Sequence, residues 1–260
     1  MTNAATNAPQ TDGIGALANP PRDLLRGSSL FLDFDGTLVE IAARPDGIEV
    51  DARLRSLVKH LAAALDGRLA IVSGRPMQSI AEYLGEGFAV SGSHGLEMRW
   101  ADGREVVPAR PDGLDTATAE LKAFAEHWDG VLIEEKPFGV GLHYREAAAE
   151  AEDASRLLVE QLADATGLKL QAGKKVFELR LAGAHKGAAI AAFMDTPPFA
   201  GSSPVFLGDD VTDEDGFEAV AQLGGAGILV GDVRPTLARY RLDDVTATLD
   251  WLEAAKEALR

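Results

Sequence analysis

An α/β fold, with a Rossmann-like core built on a mostly parallel sheet and an inserted α+β cap, is what the sequence predicts from three observations. Short apolar runs alternate with longer amphipathic ones over both ends of the chain, the pattern of βαβ units. The middle reads αββαββ instead, which suits an antiparallel sheet backed by two helices. Carboxylates stand where apolar strands end, the edge at which open α/β sheets hold their ligands.

Taken in order, residues 1–22 are rich in Ala, Asn, Thr, Gly and Pro without periodicity and are expected to be a disordered leader. Ser29–Phe34, Arg68–Val72, Phe88–Val90, Pro204–Leu207 and Gly227–Val230 are predicted as buried strands. Between them Asp51–Leu65, Pro76–Leu84, Lys186–Met194 and Asp213–Leu223 carry helical spacing, as does the C-terminal Leu249–Leu259. In the middle, Thr116–His127 and Glu146–Thr166 are predicted helices, with strands at Val131–Lys136, Val140–Arg145, Leu168–Gln171 and Val176–Leu181. The expected division is a core of residues 23–106 and 184–260 and a cap of residues 107–183.

Composition narrows the function. Of 260 residues, 25 are Lys or Arg and 41 are Asp or Glu, a formal charge of −16, which argues against a nucleic-acid-coating protein. The absence of cysteine removes disulfide frameworks, thiolate nucleophiles and Cys-ligated zinc, so any metal must use oxygen or imidazole ligands. No apolar run approaches the roughly 18 residues of a membrane span. The start lacks the basic n-region of a secretory signal. A cytoplasmic protein acting on a small molecule, with neither nucleic acid nor membrane as partner, is the expectation; oligomeric state is not readable.

Four motifs carry chemistry. Phe31-Leu32-Asp33-Phe34-Asp35-Gly36-Thr37-Leu38 closes one strand with two carboxylates, which alternation places on the same side. Gly208-Asp209-Asp210-Val211-Thr212-Asp213-Glu214 closes another and opens a helix. So acidic a cluster is unfavourable without a cation, and hard oxygen ligands favour Mg²⁺; Asp33, Asp35, Asp209 and Asp210 are the expected ligands. Ser73-Gly74-Arg75-Pro76 follows a third strand, its hydroxyl and amides suited to an anion at a helix N-terminus. Lys186 opens a helix, where a cation opposes the helix dipole and calls for a compensating anion.

Nucleophile, second carboxylate, hydroxyl, lysine and metal are the parts for phosphoryl transfer through an aspartyl-phosphate. In that assignment Asp33 attacks phosphorus, while Ser73, Lys186 and the metal neutralise the phosphoryl oxygens. Asp35 protonates the leaving alcohol and then activates water, which requires burial or like charges to keep it protonated on approach.

These motifs, in this order and spacing, resemble the haloacid dehalogenase superfamily and, within it, the trehalose-6-phosphate phosphatases. Supporting stretches are Ser91–Glu97 (SGSHGLE), Glu134–Lys136 with Gly141–Arg145, and Gly173–Arg180 (GKKVFELR). The resemblance implies a C2-type cap that holds a disaccharide over the core, with Lys136 and Lys174 meeting phosphate or sugar and Glu178 accepting hydrogen bonds from glucose hydroxyls. The expected substrate-binding set is Gly36, Thr37, Gly74, Arg75, His94, Lys136, His143, Arg145, Lys174, Glu178 and Asp213.

Basic residues gathered in the cap of an acidic chain would attract a phosphorylated sugar. His94 reads equally as a loop residue or a substrate contact, and Arg145 as a solvated charge or a contact. Whether His143 faces the sugar depends on strand register. The alternatives are a related phosphatase for sucrose 6-phosphate or mannosyl-phosphoglycerate, and a phospho-accepting regulatory module without turnover. The implied activity is Mg²⁺-dependent hydrolysis of trehalose 6-phosphate.

Overall fold

In the computed structural model, which describes residues 17–42, 47–173 and 175–259, the chain first lays down β1 (Ser28–Leu32), α1 (Ala52–Ala64), β2 (Leu69–Val72), α2 (Met77–Leu84), β3 (Ala89–Gly92), β4 (Glu97–Arg99) and β5 (Glu105–Val106). The middle contributes α3 (Leu114–Ala125), β6 (Leu132–Lys136), β7 (Gly139–His143), α4 (Ala149–Thr166), β8 (Lys169–Gly173) and β9 (Val176–Arg180). It continues as α5 (Lys186–Met194), β10 (Ser203–Gly208), α6 (Glu214–Gln222), β11 (Ala226–Val230), β12 (Tyr240–Leu242) and α7 (Val245–Ala258).

One sheet runs β12-β11-β10-β1-β2-β3-β4-β5; it is parallel from β12 to β3 and antiparallel across β4 and β5. Its central strand explains the apolar run SSLFL. Leu30 and Leu32 turn to the layer of Leu54, Leu57, Ile80 and Leu252, while Phe31 turns to the other layer, with ring centroids 6.2 Å from Phe193 and 5.5 Å from Phe199. A strand buried on both faces favours apolar residues, each contributing about 1.5–3 kcal/mol, and its two buried serines are hydrogen-bonded, Ser28 Oγ to Leu24 O at 2.9 Å and Ser29 Oγ with Ser202 Oγ at 2.6 Å.

The second sheet, β6-β7-β9-β8, is antiparallel throughout. Val140, Leu142, Phe177 and Leu179 pack on Leu114, Leu121 and Val159 of α3 and α4. Period two therefore turns the intervening residues, Glu134, Lys136, His143 and Glu178 among them, away from these helices. Gly141 pairs with both Glu134 and Glu178, so no side chain stands between them.

Three strands escaped the sequence reading. β4 is too short to show alternation, β5 is exposed at the sheet edge, and β12 is a three-residue edge strand. Helix α7 starts before the expected Leu249 because Asp244 caps it, accepting from the Ala247 amide at 2.7 Å. Helix α4 starts at Ala149, not Glu146, after a turn closed by Ala147 N–H on the Tyr144 carbonyl at 3.3 Å.

Residues 1–16 of the expected leader lie outside the described residues, but residues 17–22 are attached to the core. Ala18 bridges to Tyr240, and the Trp251 indole donates to the buried Pro20 carbonyl at 3.1 Å. Among the described residues, no helix is long and apolar enough to cross a membrane.

Candidate active site

Adjacent strands β10, β1 and β2 deliver Asp209, Asp33 and Ser73 at one edge of the sheet. Asp33 is 4% exposed, and its amide donates to Leu207 O at 2.9 Å, extending the β1–β10 register. Gly36 has φ +78°, and a Cβ there would collide with the Asp209 carboxylate, so only glycine lets this loop pass. The role of Gly36 is thus to make room for Asp209. Thr37 is also buried; its hydroxyl has no partner among the described residues and does not line the cleft described below.

Lys186 has the compensating anions its position demands, and there are two of them. Its Nζ lies 2.7 Å from Asp33 Oδ1 and 2.5 Å from Asp213 Oδ1. Burial, which alone would lower this ammonium's pKa, is outweighed by Asp213 and Asp33, and the pKa is raised. Asp33 is pushed well above the carboxylate range by burial and by Asp213 and Asp209, against the opposing pull of Lys186. Asp209 rises to about 7, chiefly through burial and Asp213.

Asp213 was expected to touch substrate, and the structure places it elsewhere. It is fully buried, with Oδ1 on Lys186 and Oδ2 accepting from the amides of Asp209 and Asp210 at 2.9 Å each. It shapes the loop from behind. Arg234, which nothing in the motif pattern singled out, braces the same loop from outside by donating to Asp210 O at 2.7 Å and pairing with Glu214.

Among the described residues, the carboxylate oxygens that gather within 4.8 Å of one another are those of Asp33, Asp209 and Asp213. This all-oxygen group, with Asp33 and Asp213 buried and Asp209 half-buried, is compatible with a metal ion. The Asp35 and Asp210 carboxylates, expected as ligands, are not in it. Asp35 is taken by Arg75, whose Nε and Nη2 donate to its two oxygens at 2.7 and 2.8 Å. The exposed Asp210 turns back to cap Val211 N at 2.6 Å. Asp35 therefore has a guanidinium beside it where the sequence reading expected burial or like charge.

Ser73 is fully buried, and its hydroxyl accepts from Arg75 N at 3.1 Å. The N-terminus of α2, read as an anion site, is already engaged: Met77 N donates to the buried carboxylate of Glu97 at 3.0 Å.

A solvent-open cleft of about 760 Å³ separates this floor from the second sheet. That lies within the roughly 300–1,000 Å³ of formed ligand sites. Asp33, Asp35, Gly74, Arg75, His94, Lys186, Asp209 and Asp210 line one side, and Glu134, Lys136, His143 and Arg145 the other. Tyr83 and Thr212, unassigned in the sequence reading, also line it.

On the cap side Lys136 donates to Glu178 at 3.0 Å and lies 3.7 Å from Glu134, which His143 Nε2 meets at 3.0 Å. Burial opposes the Lys136 charge, but Glu178 and Glu134 outweigh it and raise the pKa. Glu134 is held low by His143 and Lys136 despite burial. Lys174 lies outside the described residues.

Comparison with known proteins agrees with this arrangement. The trehalose-phosphatase family matches residues 31–246. A probable trehalose-phosphate phosphatase of Sinorhizobium fredii is 41% identical over 80% of this chain and 79% of its own length. The trehalose-6-phosphate phosphatase of Escherichia coli is 39% identical over 88% and 87%. The crystal structure of a trehalose-6-phosphate phosphatase related protein superimposes with a TM-score of 0.77 at 29% identity, covering 88% of this chain and 97% of that one. A family match that starts inside β1 and runs through both sheets into α7 takes in every element that frames the cleft, so the chain belongs to the trehalose-phosphatase family of the haloacid dehalogenase superfamily and is a phosphoric monoester hydrolase.

Proposed function

We propose that this enzyme hydrolyses trehalose 6-phosphate to trehalose and inorganic phosphate with Mg²⁺, through a phosphoryl group carried on Asp33, in the last step of trehalose synthesis. One observation carries the reading: a single cleft joins the buried Asp33–Lys186 pair to the paired acids and bases of Glu134, Lys136 and His143. The first can accept a phosphoryl group. The second suits a polyol, because carboxylates and cations arranged in pairs both accept from and donate to hydroxyls. The names of the relatives supply the sugar.

In this mechanism an Asp33 oxygen attacks phosphorus as the bond from phosphorus to the sugar oxygen breaks. Asp35 gives that oxygen its proton, then takes one from the water that cleaves the acyl phosphate, releasing phosphate and restoring Asp33. Lys186 stays charged and offsets the charge that builds on the phosphoryl oxygens. Asp35 can reach the leaving oxygen only by exchanging Arg75 for it. Mg²⁺ fits the donor set of Asp33 and Asp209, since hard, buried carboxylates that repel one another are what a divalent ion neutralises; when bound it supplies further charge compensation to the phosphoryl group.

Residues 107–183 are read as a movable cap whose hinges are the Gly- and Pro-containing segments Gly103–Pro111 and Leu181–Gly183. Two apolar residues on the open cleft, Ile41 at 63% exposure and Leu132 at 46%, give closure a driving force. His94, Lys136, His143, Arg145 and Glu178 then meet the sugar phosphate.

Phosphate release from trehalose 6-phosphate, sucrose 6-phosphate, mannosyl-phosphoglycerate and glucose 6-phosphate, each with Mg²⁺ or EDTA, tests the proposal. Preference for trehalose 6-phosphate, abolished by EDTA, is expected. Preference for another substrate would overturn the reading of the cap and keep that of the core.

A further inference from the structure

Glu97 is a buried carboxylate outside the machinery described above. It is 7% exposed and does not line the cleft. No Lys, Arg or His among the described residues lies within ion-pair distance of it. Its Oε2 instead accepts from Ser93 Oγ at 2.6 Å and from the Met77 amide at 3.0 Å.

Those two donors belong to the two loops that meet under the cleft. Ser93, His94 and Gly95 have φ of +50°, +56° and +98°, a left-handed run that includes two residues with side chains. Such a run persists only where its surroundings over-determine it, and it is a reason to look for function. Here Ser93 N donates to Arg75 O at 2.8 Å and His94 N to Ser73 O at 3.0 Å. The result is a ring pressed onto the loop of Ser73 to Arg75: a Cβ on Gly74 would stand 2.6 Å from both Cε1 and Nε2 of His94. The imidazole faces Lys186, Lys136 and Arg180, and burial with these charges holds it neutral.

We propose that Glu97 is a positioning residue for sugar-phosphate recognition: by holding the Ser93 hydroxyl and the first amide of α2 on one oxygen, it locks the left-handed turn onto the Ser73–Arg75 loop and so aims His94 into the cleft. This rests on the reading that His94 contacts substrate. A carboxylate is suited to the task because one oxygen takes both donors while its charge favours the helix N-terminus.

A double-mutant cycle tests it. Glu97→Ala, Ser93→Ala and His94→Ala are made singly, and each of the first two is combined with the third; folding is checked by thermal melts. Ser93→Ala cuts half of the lock without removing the carboxylate, so it serves where Glu97→Ala does not fold. The expected result is that Glu97→Ala or Ser93→Ala lowers kcat/KM for trehalose 6-phosphate by roughly 10- to 100-fold, the scale of an ångström-sized misplacement. Neither adds further loss to His94→Ala, and the His94 ring resonances shift in both. Losses that multiply with that of His94→Ala, or unmoved His94 resonances, would show Glu97 to be structural only and overturn the proposal. A His94→Ala enzyme as active as the parent would instead overturn the reading of His94 itself.

Discussion

Arg75 grips both oxygens of Asp35, Nε on Oδ2 at 2.7 Å and Nη2 on Oδ1 at 2.8 Å, and its guanidinium also stacks 5.7 Å from the Phe34 ring centroid and 5.4 Å from that of Tyr83. The group assigned to proton transfer is thus parked while the cleft is open. If Asp35 serves first as acid and then as base, Asp35→Asn impairs both halves of the cycle, by roughly 10²–10⁴-fold in turnover. An aryl phosphate, whose leaving group needs no proton, restores only the first half. Asp35→Asn with such a substrate should therefore accumulate a phosphoryl adduct on Asp33, visible by intact-protein mass spectrometry. Turnover at the parent rate with no adduct would remove Asp35 from the mechanism.

Lys186 is the only cation bonded to Asp33 and Asp213 among the described residues, and all three are nearly or fully buried. Replacing it with methionine leaves two carboxylates buried together, a change that costs about 3–5 kcal/mol where one partner of a buried pair is removed. Lys186→Met is expected to melt several degrees lower and to lose hydrolysis. Its stability should also fall with rising pH, because burial holds the Asp33 carboxyl well above the carboxylate range even beside Lys186, and without that partner its ionisation opposes folding more strongly. Thermal melts at pH 5.5 and 8 check this; a pH-independent loss would mean that the pair contributes packing and little charge.

Much of this was legible in the sequence. Two-sided burial of β1, β10 and β2 leaves unbroken apolar runs, and each run ends where its motif begins, so Asp33, Ser73 and Asp209 could be placed on one sheet edge without coordinates. Lys186 announced its need for an anion by standing at a helix N-terminus. What stayed hidden depends on contacts between segments distant along the chain. Nothing in SGRP says that Arg75 will hold Asp35, 40 residues away, or that Asp213 will spend both oxygens on Lys186 and two amides. Glu97, on β4, and Arg234, in the loop between β11 and β12, act on loops distant along the chain and leave no periodic trace. The register that turns His143 toward the cleft is set by Gly141 pairing with Glu134 and Glu178, a fact of the ladder rather than of any one strand.

The raised pKa of Asp209, about 7 and caused chiefly by burial and Asp213, ties metal binding to protons. A metal ion takes the ionised carboxylate, so below pH 7 a proton must leave Asp209 before it binds, and above pH 7 Asp209 has none to lose. Mg²⁺ affinity should therefore rise between pH 6 and pH 8 and level off above, by up to about tenfold per pH unit for each proton released. Calorimetric titration of Mg²⁺ in two buffers of different ionisation enthalpy counts the protons. Affinity flat from pH 6 to 8, with no proton release, would show Asp209 already ionised and the metal held elsewhere.

Glu178 stands opposite Glu134 across Gly141 and is bonded to Lys136 at 3.0 Å, a placement within reach of a substrate long enough to extend from Asp33 to the cap sheet. Hydrogen bonds to a charged group are worth about 1.5–3 kcal/mol. Glu178→Ala should accordingly lower kcat/KM for trehalose 6-phosphate by roughly 10- to 100-fold, whereas a small aryl phosphate, which ends short of the cap, should lose at least about tenfold less. Steady-state kinetics on the two substrates measures the ratio. Equal losses on both would mean that Glu178 acts by holding Lys136 and the cap in shape, and that sugar recognition has to be sought among Glu134, His143 and Arg145 instead.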